Sequence, residues 1–125
     1  MQRILLVCPD LAMIDGLTFF LQHSGFQVAR AIESGRVVAE IGRRPPDLVM
    51  ISENGRGIDV NELCITIREQ SDVPIIVLGQ GHDEVPGVGM PEIGADAYLT
   101  SPLNARELLA SIRSLLRRAH PSKGT

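Results

Sequence analysis

The chain reads as an α/β domain, a parallel sheet with helices on both faces. Three observations predict it. Short apolar runs alternate along the whole length with stretches of helical periodicity. The runs at 3–7 and 47–51 are apolar without alternation, as expected of strands buried on both faces. Each run leads through a few polar residues into the next helix, the pattern that builds a parallel sheet through right-handed crossovers.

The elements follow in order. Residues 3–7 form the first strand. Asp10 then caps a helix reaching Ser24, with Ile14, Leu17 and Leu21 on one face and Gly25 just past its end. Residues 27–31 form the second strand. Ser34 is placed to cap a helix carrying Val37, Val38 and Ile41, which must stop before Pro45-Pro46. Residues 47–51 form a central third strand. Asp59 with Glu62 starts a helix running to Gln70 in the manner of a capping box. Residues 73–78 form the fourth strand and 98–99 the fifth. Asn104 with Glu107 opens the last helix, with Leu108, Leu109, Ile112, Leu115 and Leu116 inward and Arg113, Arg117 and Arg118 towards its C-terminal end. Between the fourth and fifth strands the expected helix meets Pro86, Gly87, Gly89, Pro91 and Gly94. Interior Gly costs about 1 kcal/mol and interior Pro about 3, so that helix should be shortened or broken.

Composition removes several classes of function. At 125 residues the chain makes one domain, residues 1–119, with a polar tail at 120–125 that could begin a linker to an output domain. A net charge of −3 and a complement of three Phe, one Tyr and no Trp offer neither a basic face nor a stacking platform for nucleic acid. Two cysteines, one at a strand end and one in a helix, are no disulfide framework. No apolar run approaches the ~20 residues of a membrane span, and Met1-Gln2-Arg3 leads directly into a strand. The expectation is a cytoplasmic domain without membrane or nucleic-acid contacts of its own.

In parallel α/β sheets, ligands bind beyond the carboxyl ends of the strands. Those ends read Cys8-Pro9-Asp10, Ser52-Glu53-Asn54, Gly79-Gln80 and Thr100-Ser101-Pro102. Cys8 and Ser52 should face each other across neighbouring strands. Cys8 is either a reactive thiol or a small residue filling space, and no cation is in sight to lower its pKa. Arg56 either swings over this end as a substitute cation or stays solvated. His82-Asp83 is weak as a metal site, and Gly79-Gln80-Gly81 lacks the third glycine and the helix of a phosphate-cradling turn.

Several segments together resemble a response-regulator receiver domain of two-component and phosphorelay signalling. They are Arg3-Ile4-Leu5-Leu6-Val7, Pro46-Asp47-Leu48-Val49-Met50-Ile51, Gly57-Ile58-Asp59, Val73-Pro74-Ile75-Ile76-Val77-Leu78 and the run from Gly94 to Pro102. The ending, Arg106-Glu107-Leu108-Leu109 through Leu116-Arg117-Arg118, is similar to receivers that precede winged-helix DNA-binding domains of transcription regulators. The resemblance implies a CheY-like, flavodoxin-like (βα)5 three-layer sandwich. Its five-stranded parallel sheet has the order 2-1-3-4-5, here with an irregular or shortened fourth helix.

The resemblance also implies a site, and here the site is degenerate. The acidic pair that holds Mg²⁺ in the family falls on Cys8 and Pro9, and the phosphoacceptor on Ser52. The switch hydroxyl falls on Gly79 and the lysine on Ser101. A thiol and a proline are poor ligands for a hard cation, and Ser52 has no base beside it. The implied module is a pseudo-receiver: no enzyme, no catalytic residue, no metal, no cofactor, Mg²⁺ included. A phosphate switch would have to be rebuilt on Asp10 or Glu53.

Tyr98 is the family's switch aromatic. With Gly79 opposite, it either sits inward permanently or lies as an ordinary rim residue. The interaction surface implied for a protein partner or an attached output domain centres on Val85, Val88, Tyr98 and Glu107. Gly87, Pro91, Ala97 and Ser111 depart from the family's charged dimer face, which leaves a homodimer through a non-standard interface. Two other readings stay open: a small-ligand sensor using the emptied pocket at Cys8, Ser52, Gly79 and Ser101, and a receiver with an unorthodox phosphoacceptor.

Overall fold

The computed structural model describes residues 1–53, 59–79, 94–100 and 102–119. The described elements are β1 (Arg3–Val7), α1 (Leu11–His23), β2 (Gln27–Ala31), α2 (Ser34–Arg43), β3 (Leu48–Ser52), α3 (Val60–Arg68), β4 (Ile75–Gly79), β5 (Ala97–Thr100) and α4 (Ala105–Ala119). The strands form one parallel sheet in the order β2-β1-β3-β4-β5, as expected. The helix expected between β4 and β5 lies outside the described residues, as does the tail 120–125.

The sheet is buried on both faces because β1, β3 and β4 carry side chains of equal bulk up and down. Leu5, Val7, Val49, Ile51, Ile75 and Val77 pack against Val37 and Ile41 of α2 and Leu63, Cys64 and Ile67 of α3. Ile4, Leu6, Leu48, Met50, Ile76 and Leu78 pack against Ile14 and Leu21 of α1 and Leu108, Ile112, Leu115 and Leu116 of α4. The two helix pairs therefore lie on opposite sides of the sheet.

Helix starts follow the expected chemistry at three of four positions. Asp10 accepts from the N–H groups of Ala12 and Met13, Asp59 from Glu62 and Asn104 from Glu107. The exception is Ser34, which is already helical; Glu33 is the extended capping residue and makes no side-chain cap. α1 ends through Gly25, whose φ of 97° favours a residue without a Cβ.

Three strands and one helix end also shift their bounds. β3 runs to Ser52 and leaves out Asp47, whose carboxylate instead accepts the Arg3 N–H at 2.8 Å. β4 begins at Ile75 rather than 73 and includes Gly79, β5 spans Ala97–Thr100, and α3 closes at Arg68.

Candidate functional site

At the carboxyl ends of β1 and β3 the side chains pack on one another. Asp10 turns its carboxylate onto the first N–H groups of α1, at 3.0 and 3.1 Å, so that helix begins as soon as β1 ends. The Cys8 thiol donates to the Asp10 carbonyl at 3.5 Å and lies against the Ser52 side chain. The Ser52 hydroxyl donates to the thioether of Met13 at 3.5 Å. Cys8 and Ser52 are both completely buried. They face each other as expected.

Burial pushes the Cys8 thiol above its ordinary pKa. Hydrogen bonding around the thiol pulls the other way, and the Asp10 charge pushes it up further. A buried, protonated thiol is a poor nucleophile. The donor set here is a thiol, a proline ring, a hydroxyl and a carboxylate committed to a helix cap. Mg²⁺ demands near-octahedral oxygen ligands and does not fit this set.

At β4 and β5 one aromatic ring decides the geometry. Gly79 pairs with Thr100 across the ladder, and Tyr98 sits two pairs back, opposite Val77. The Tyr98 ring packs on the α2/α3 side of the sheet and lies against Gly79. A Cβ placed on Gly79 would come within 2.5 Å of Tyr98 Cζ and would overlap its hydroxyl. Any side chain at 79 therefore competes with the ring for the same space. The Tyr98 hydroxyl donates to Glu53 Oε1 at 3.1 Å, and the Glu53 N–H donates to the Leu78 carbonyl at 2.8 Å. In this structure the Tyr98 ring is half-buried and turned towards Gly79.

The structure thus brings Cys8, Pro9 and Ser52 to one end of β1 and β3, and Gly79 and Tyr98 to the neighbouring strand ends. Glu107 is exposed in the first turn of α4. Ser101, Val85, Val88, Arg56, Gln80, Gly81, His82, Asp83, Gly87 and Pro91 lie outside the described residues. Among the described residues, no group of three or more His, Cys, Asp or Glu side chains is placed to hold a metal. No described helix is long and apolar enough to cross a membrane. Met13 was not legible as a member of this site. It lies three residues past Asp10 and looks like one more apolar position of α1.

Comparison with known proteins agrees with this geometry. Residues 4–113 match the model of the response regulator receiver domain. The chain belongs to the response-regulator receiver family. It is 34% identical over 118 residues to the sensory transduction protein RegX3 of Mycobacterium bovis, covering 94% of this chain and 52% of that protein. This receiver therefore spans about half the length of the curated relatives it matches. A CheY-like receiver domain from Methanospirillum hungatei superposes with a TM-score of 0.82 at 26% identity, over 95% of this chain and 96% of that one. A two-component response regulator from Clostridium difficile gives a TM-score of 0.85 at 25% identity, over 96% and 99%. The fold is CheY-like, and the chain is a receiver domain of the two-component response-regulator kind.

Proposed function

We propose that this receiver works without phosphorylation, as a binding and regulatory module held in one conformational state. The observation that carries the reading is the Tyr98 ring occupying the space beside Gly79, with its hydroxyl on Glu53. A tyrosine can report a chemical event at its neighbour only if it has somewhere else to sit and something to respond to. Gly79 supplies no side chain to pull on it. The buried Cys8–Ser52–Met13 contacts support the same reading, since the Ser52 hydroxyl donates to a thioether, which is no base to activate it. The module is accordingly no enzyme, takes no Mg²⁺ and acts through a protein partner or an attached output domain. A winged-helix domain is the output implied by its ending, Arg106 to Arg118, which is similar to that of receivers preceding such domains. Its effective surface is the 83–92 segment with Tyr98 and Glu107.

The small-ligand reading has less support, because Met13 and Tyr98 fill much of the space such a ligand would take. An amide NMR titration with Mg²⁺ and beryllofluoride, which mimics phosphoryl on a carboxylate, tests the proposal. Unmoved signals at residues 8–10, 52–53 and 98–100 are expected. Saturable shifts there would overturn phosphate independence and assign the acceptor to Asp10 or Glu53.

A further inference from the structure

Two exposed helix faces on opposite sides of the sheet carry matching patterns of opposite sign. On α3, Glu62, Ile65 and Glu69 share one exposed stripe, with Glu69 at the helix end and Ile65 at 46% exposure. On α4, Arg106, Ala110 and Arg113 share another, which Arg117 extends. Read from Glu69 back to Glu62, the steps are four residues and then three; read from Arg106 to Arg113, they are again four and then three. Each stripe spans about 10 Å of helix axis. Laid antiparallel, Glu69 meets Arg106, Ile65 meets Ala110 and Glu62 meets Arg113. Laid parallel, the steps fall out of register.

Neither stripe has an ion-pair partner among the described residues. The ion pairs among the described residues join Arg3 to Glu40, Arg30 to Asp15 and Arg68 to Asp96, and none uses the six stripe residues. Arg106, Arg113 and Arg117 have no carboxylate three or four residues away on α4, and Glu62 and Glu69 have no cation so placed on α3. Two of the charges also oppose their own helix: Arg106 stands in the first turn of α4 and Glu69 at the C-terminal end of α3, each next to a like partial charge of the helix dipole. An antiparallel partner helix would reverse both penalties.

We infer that the α3 stripe of one copy of this chain docks on the α4 stripe of a second copy. Because α3 and α4 lie on opposite faces of the sheet, the contact is head-to-tail: each copy offers a donor face and an acceptor face. Assembly is then a concentration-dependent stack of domains rather than a closed twofold dimer. The contact is small and charged at its edges, with one apolar seat, so it should be weak and salt-sensitive. It does not depend on the phosphate-independent reading.

Sedimentation equilibrium of the chain tests this. In low salt the weight-average mass should rise with concentration past that of a dimer, and high salt should return it to the monomer. Arg113→Glu or Glu62→Arg alone should lower the association constant by about tenfold or more. The double variant, Glu62→Arg with Arg113→Glu, should regain association, because each copy then presents the swapped pair to the next. Glu69→Arg with Arg106→Glu is an independent second swap. A chain that stays monomeric in low salt up to its solubility limit would overturn the inference. So would association that ignores the single reversals, or single reversals that no swap repairs.

Discussion

The two ends of the sheet are held together by different chemistry. At the amino ends of the strands, charged groups clamp the frame. Arg3 spans to Glu40 at 2.6 Å and to the Arg44 carbonyl at 2.7 Å, while Asp47 accepts the Arg3 N–H. Arg68 donates to the Val73 and Gly94 carbonyls and to Asp96, and Asp96 also accepts the Ile75 N–H at 2.8 Å. At the carboxyl ends, where a receiver would keep its charged site, the Asp10 carboxylate is turned onto its helix cap and that of Glu53 onto the Tyr98 hydroxyl, and beside them stand contacts of thiol to carbonyl, hydroxyl to thioether and ring against glycine. The frame keeps its polar fastenings while the site is filled with soft and apolar groups. On the proposed reading, fold and phosphate chemistry are separable because they rest on residues at opposite ends of the same strands.

The largest break in that comparison comes from Arg68. Its guanidinium ties the end of α3 to the entries of β4 and β5, and Gly94, at φ 124°, brings its backbone close beneath the side chain. Arg68→Ala strands the carbonyls of Ser71, Val73 and Gly94 and the Asp96 carboxylate in a partly buried setting. Charged hydrogen bonds are worth about 1.5–3 kcal/mol each, less where exposed, so a loss of about 2–4 kcal/mol is expected in urea denaturation. A loss below about 1 kcal/mol would mean that the amino end is held by packing alone.

That clamp also marks what sequence could and could not convey. The alternation of apolar runs and helices was legible because strands buried on both faces leave continuous hydrophobic runs. The caps at Asp10, Asp59 and Asn104 were legible because capping is local. Ser34 misled because a residue with cap chemistry can equally be the first helical one. The residues that resemblance aligned with the family site could be named. What fills the site could not: Ser52 meets Met13 across 39 residues and Tyr98 meets Glu53 across 45, and no periodicity encodes a side-chain rotamer. Arg68 with Asp96, 28 residues apart, escaped notice for the same reason.

Next in size is Gly79→Thr. The new side chain must expel the Tyr98 ring or strain against it, an overpacking cost of about 1–3 kcal/mol. Tyr98 is the single tyrosine and there is no tryptophan, so its fluorescence reports the ring directly. Increased quenching by iodide is expected. An unchanged spectrum and stability would place the ring elsewhere in solution.

The buried thiols give the carboxyl end and the α3 core a common pH signature. Burial raises both Cys8 and Cys64 above the ordinary thiol range; Arg68 lowers Cys64 somewhat and Asp96 raises it. Below about pH 8.5 both folded and unfolded states keep these protons, and stability is at its full value. As pH climbs, the unfolded thiols ionise first, so stability falls until the folded values are passed. The slope is at most about 1.4 kcal/mol per pH unit for each thiol. Cys8→Ala should flatten the alkaline limb of the stability curve by the Cys8 share, whatever its cost at neutral pH.

The smallest effect belongs to Tyr98→Phe, and it divides the two forces that hold the ring inward. The substitution keeps the ring against Gly79 and removes the donor to Glu53. Glu53 is partly exposed, so water can replace the lost partner, and the expected cost is at or below about 1 kcal/mol. Packing then accounts for most of the inward state, and the amide shifts of β4 should barely move. A larger loss, with the β4 signals shifting as in Gly79→Thr, would make the Glu53 contact the latch. Glu53→Gln, which still accepts a hydrogen bond but carries no charge, would then recover only part of the difference.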